Sequence, residues 1–102
     1  MNAAARLEQL HQAMGRIEDA LCREQFDVMP AMLDAYDQGV RGFCAMEGAG
    51  AVALRERVQA LHDRHQQVVG LMRARQQQLL ELMRAQRHSS RAVHAYAGAG
   101  AG

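Results

Sequence analysis

The chain has 102 residues, with twelve basic groups that are all Arg, eleven acids, two Cys and 49% hydrophobic residues of which few are aromatic. That length supports one small domain with a modest core, and its near-neutral charge disfavours a surface that tracks nucleic-acid phosphates. No apolar run approaches the roughly 18 residues of a membrane span, and no apolar leader opens the chain, so a cytoplasmic location is expected.

The first predicted helix, from Ala3 to Arg23, carries Leu7, Leu10, Met14, Ile17 and Leu21 at three-four spacing, which makes one inward face. The phase then breaks. Phe26 lies five residues past Leu21, Asp27 is a candidate N-cap, and Pro30 suits a first helical turn, where a missing N–H is tolerated. A tight turn at Glu24 to Phe26 is expected. The second helix resumes with Met29, Leu33, Tyr36, Val40 and Phe43, and its Gly39 and Gly42 weaken it or let a neighbour come close. Cys22 and Cys44 fall near opposite ends of this hairpin, about 25 Å apart along the axis. That is too far for a disulfide, so both read as reduced thiols in or beside the core.

Glu47 to Ala51 forms the loop into a long third helix, Val52 to Arg87, roughly 54 Å at 1.5 Å per residue. Its first half has a single stripe of Leu54, Val58, Leu61, His65, Val68 and Met72. Beyond it, Val69, Leu71, Leu80 and Met83 flank the continuing seam of Leu79 and Leu82 and widen it toward two faces. The two earlier helices are long enough to cover only the first half. Gly70 costs about 1 kcal/mol against Ala in a helix interior and reads as a candidate hinge. Ser89 and Ser90 are candidate N-caps for a short fourth helix bearing Val93 and Tyr96, and residues 98–102 read as a flexible Gly/Ala tail. The expected architecture is therefore all-α: an antiparallel hairpin packed on a long third helix, with a short fourth C-terminal helix, in one domain over residues 1–97.

Charge is unevenly placed. Residues 1–50 hold eight acids and four Arg, and residues 51–102 hold three acids and eight Arg, an asymmetry that orients helices or an acidic partner. His62 and His65 share a helical face, and Glu18 lies at similar height on the first helix, but without a second His/Glu pair the spacing reads as structural rather than as a metal site. The glycines from Gly48 superficially fit a dinucleotide fingerprint, yet no strand precedes them. Nucleophilic triads and paired catalytic carboxylates are not evident, so neither an enzyme nor a cofactor is expected.

Three segments, in order, resemble the FliT-type flagellar export chaperones, with the FlgN type a step further away. They are Glu24-Gln25-Phe26-Asp27 with Ala35-Tyr36; Val68-x-x-Leu71-Met72-x-x-Arg75-x-x-x-Leu79; and Ser89-Ser90-x-x-Val93-x-Ala95-Tyr96. Ala97 departs from the family's Ala-Tyr-Gly ending, and the stretch between Arg75 and Ser89 is about one helical turn longer. The resemblance implies a chaperone that binds the C-terminal region of the filament cap protein (FliD-like), prevents premature assembly and delivers it to the export ATPase complex. Some members also bind the flagellar master transcription regulator. It further implies partner contacts along Val68, Val69, Leu71, Met72, Arg75, Leu79, Leu80 and Met83, with Val93 and Tyr96 as an autoinhibitory lid. The more distant FlgN likeness implies an alternative, a chaperone for hook-filament junction proteins, and the residues themselves leave open a homodimeric helical scaffold that seals the same surplus.

Overall fold

The computed structural model describes the backbone of residues 1–101 and the side chains of residues 1–89 and 91. Helices α1 (Ala3–Cys22) and α2 (Met29–Cys44) are followed by a single 3₁₀ turn, Val52–Leu54, and by α3, Arg55–Ala101. Among the described residues there is no strand, and no helix is long and apolar enough to cross a membrane. The chain divides into two units, Met1–Gly70 and Leu71–Gly102.

In the first unit the three-four alternation becomes the core. Leu7, Leu10, Met14 and Ile17 of α1, Met29, Tyr36 and Phe43 of α2, and Leu61 and Val68 of α3 are all buried. Leu21 is only half-buried, and Ala3 and Ala20 complete the inward face of α1. Close approach of α1 and α2 is set at Gly39, where an added Cβ would lie 2.8 Å from the Leu10 Cδ2. Gly39 therefore serves the interface between the two helices.

Helix ends show what periodicity could not. Asn2 caps α1, its side chain accepting from the Ala5 N–H at 2.8 Å. At the other end the Gln25 N–H donates to the Ala20 carbonyl (2.9 Å) and the Glu24 N–H to that of Leu21 (3.1 Å), the paired bonds of a Schellman ending. Glu24 sits at φ 58°, the left-handed region in which a Cβ costs about 1–2 kcal/mol. Glu24→Gly is expected to stabilise the protein by about 0.5 kcal/mol, part of the relief being lost to the freer unfolded chain. Urea unfolding tests this; a lower midpoint would mean that the side chain's own interactions outweigh the strain.

Four expectations are corrected. Asp27 does not cap α2: the cap is Val28, with no side-chain hydrogen bond, because burial of Met29 sets where the helix starts and Pro30 fits its first turn. Cys22 and Cys44 are free, as expected, but exposed, since both end helices just outside the packed face. The long helix does not stop at Arg87. It runs unbroken through Ser89 and Ser90 to Ala101, so no separate fourth helix forms; Ala and Arg on both sides of the serines favour continuation over capping.

Helix α3 also continues through Gly70, where an added Cβ would meet nothing within 4 Å. Gly70→Ala is expected to raise stability by about 1 kcal/mol, from helix propensity alone. Thermal unfolding monitored by circular dichroism measures this, and an unchanged or lower midpoint would count against an uninterrupted helix there.

Candidate functional site

Polar groups in the first unit fix how the start of α3 lies on α1. Arg64 forms an ion pair with Glu18, and Arg57 one with Glu8, so residue numbers rise together on the two helices and they run parallel. His11 ties the two arginines together: its Nε2 lies 3.0 Å from the Arg57 carbonyl and its Nδ1 3.2 Å from an Arg64 nitrogen. A carbonyl only accepts and a guanidinium only donates, so the tautomer protonated at Nε2 satisfies both contacts. The hydrogen bond from Arg64 to Glu18 holds the guanidinium protonated beyond its ordinary range. Glu18 is thus the partner of Arg64, and among the described residues no group of three His, Cys, Asp or Glu could hold a metal ion.

His65 stacks on α2, its ring 5.1 Å from that of Tyr36 and tilted by 40°. Burial pushes the Tyr36 phenol above its usual pKa, while the Arg64 charge pulls the other way. The folded state therefore holds this proton more tightly than the unfolded chain does. That contribution is complete below about pH 10, the unfolded value, and is lost as pH rises beyond it. Tyr36→Phe should flatten the alkaline limb of the stability profile above about pH 10. Equal alkaline slopes in denaturant titrations of the two proteins would refute this.

The second unit presents a different surface. Leu71, Leu79, Leu80, Leu82 and Met83 are between 46% and 66% exposed, the densest run of exposed large aliphatic side chains among the described residues. Isolated exposed leucines are ordinary; these five, within thirteen residues, fall on one half of the helix circumference, with Leu79, Leu80, Leu82 and Met83 clustered and Leu71 about two turns before them, and such a grouping is the kind of surface that marks an interaction site. Of the residues expected to meet a partner, Leu71, Leu79, Leu80 and Met83 lie on this face, and Met72 and Arg75 are half-buried. Val68, by contrast, is 2% exposed and belongs to the core of the first unit, where Val69 is half-buried beside it. Leu82, first read as plain seam, is the most exposed of the five. Val93 and Tyr96, the expected lid, lie outside the residues whose side chains are described, and the turn such a lid would need at Ser89 and Ser90 is replaced by helix.

An apolar helical face without nucleophile, acid–base pair or ligand cluster on it is equipped for packing against another helix. No protein-family model, curated protein or solved structure matches the chain.

Proposed function

We propose that this protein is a binding module that holds a helical, apolar segment of another protein against residues 71–83 of α3, and that it acts as a cytoplasmic export chaperone of the FliT type. Its cargo would be the C-terminal helical region of the filament cap protein, kept from premature assembly and handed to the export ATPase complex. The binding reading is carried by one observation, the run of half-exposed Leu71, Leu79, Leu80, Leu82 and Met83. Burying the exposed half of one such side chain against a partner contributes roughly 0.7–1.5 kcal/mol, so several of them together supply useful affinity. The chaperone reading adds the three sequence segments, whose middle member runs through this face.

A second reading draws on the same residues. Three-four spacing through Met72, Arg75, Leu79 and Leu82 is also the spacing of a coiled-coil seam, which a homodimer would seal permanently. Co-expression with the filament cap protein separates the two, with mass by light scattering as the readout. The chaperone reading expects a stable complex containing the cap protein. A dimer of this chain alone, indifferent to the cap protein, would replace it with the scaffold reading.

A further inference from the structure

Residues 71–91 carry five Arg (Arg73, Arg75, Arg84, Arg87 and Arg91) against a single acid, Glu81. Four of the five lie on one side of the helix, and the fifth, half-buried Arg75, lies within the arc of apolar residues. At about 100° per residue, Leu71, Leu82, Leu79, Met83 and Leu80 sweep an arc of roughly 180°. Arg73, Arg84, Arg87 and Arg91 fall on the Leu80 border of that arc, the last three at three-four spacing and Arg73 three turns before them, and all four are exposed. The opposite border, at Gln78 and Ala85, is neutral, and Glu81 lies near the middle of the polar back.

From this one-edged charge we infer that the segment held here is an acidic amphipathic helix, whose apolar stripe is bordered on one side by Asp or Glu at three-four spacing. The inference rests on the binding reading above and narrows it to a class of partner. Carboxylates on one edge pair with the arginine row, while the neutral edge gives no such pairing, so charge fixes which way round the partner lies. A second copy of this chain fits less well, because its corresponding face brings more arginines and no bordering carboxylate. A lipid surface is also disfavoured, since helices that lie in a membrane interface carry their basic residues over the polar face and not along a single border.

Fluorescence anisotropy on the full chain tests the assignment with three labelled 18-residue helical peptides. They share one Leu/Ala stripe and differ only in carrying Glu, Gln or Lys along one edge. The Glu peptide is expected to bind about tenfold more tightly than the Gln peptide at low salt, the gap closing as salt rises, and the Lys peptide more weakly still. A chain with Arg84→Glu and Arg87→Glu should invert the order, which a merely structural role for these arginines would not do. Equal affinity for the Glu and Gln peptides overturns the charge assignment and leaves the apolar binding reading standing. Failure of all three peptides to bind overturns both. Preferential sedimentation with phosphatidylserine vesicles, or a dimer that persists at micromolar concentration and excludes the peptides, overturns the acidic helix in favour of a lipid or a second copy.

Discussion

A chain carrying Leu80→Glu together with Met83→Glu loses its helical partner and keeps its fold: that is the expected outcome of the most direct mutational test. Both side chains are about half exposed, and Glu is nearly as good a helix former as Leu or Met, so circular dichroism and the melting midpoint should barely move, within about 0.5 kcal/mol. On the partner side the change is large. Two aliphatic contacts disappear, each worth roughly 0.7–1.5 kcal/mol because half of the side chain is already covered, which lowers affinity by about tenfold to a hundredfold. Two carboxylates would also have to be desolvated in the interface, which adds to the loss. Pull-down of the filament cap protein and calorimetry read the result. Retention of the complex at full affinity would place the binding surface elsewhere on the molecule.

Met14→Ala is expected to have the largest effect on stability. Met14 is fully buried in α1 between Leu10 and Ile17, and truncating such a side chain costs about 2–5 kcal/mol through lost burial and the cavity left behind. A unit of 70 residues has a total stability of roughly 4–10 kcal/mol, so this one change removes a large part of it. Leu82→Ala is the matching control: the side chain lies on the exposed face and its removal should cost less than about 0.5 kcal/mol. Paired urea titrations give both numbers. Similar costs at the two positions would mean that Leu82 is packed in solution, and would argue for a constitutive assembly.

The hairpin was legible because each face repeats strictly. Leu7, Leu10, Met14 and Ile17, then Met29, Tyr36 and Phe43, are selected by the three-four rule and buried, whereas Leu21, Leu33 and Val40, which the rule also selects, are half-buried. Its ends were less legible. A left-handed Glu24 and an uncapped start at Val28 follow from packing of the flanking buried residues, which outweighs the local preferences of Asp27 and of glycine. The candidate face was half legible for a related reason. Leu61, Val68, Met72, Leu79 and Leu82 share one unbroken phase, so the pattern itself carries no mark of where burial gives way to exposure. Val68 was accordingly grouped with Leu79, although one is core and the other surface. The Arg64 bridge to Glu18 and His11 joins residues far apart in the chain, and neither end of it carries a local signature.

Among the described residues, every buried hydrophobic side chain lies between Ala3 and Val68. During synthesis, when chains fold from the N-terminal end as they emerge, the interior of the first unit is therefore fully supplied before the leucines after Gly70 leave the ribosome. Those leucines are not needed to finish a nascent core. They follow a unit that already has all of its interior, and their side chains stay about half exposed.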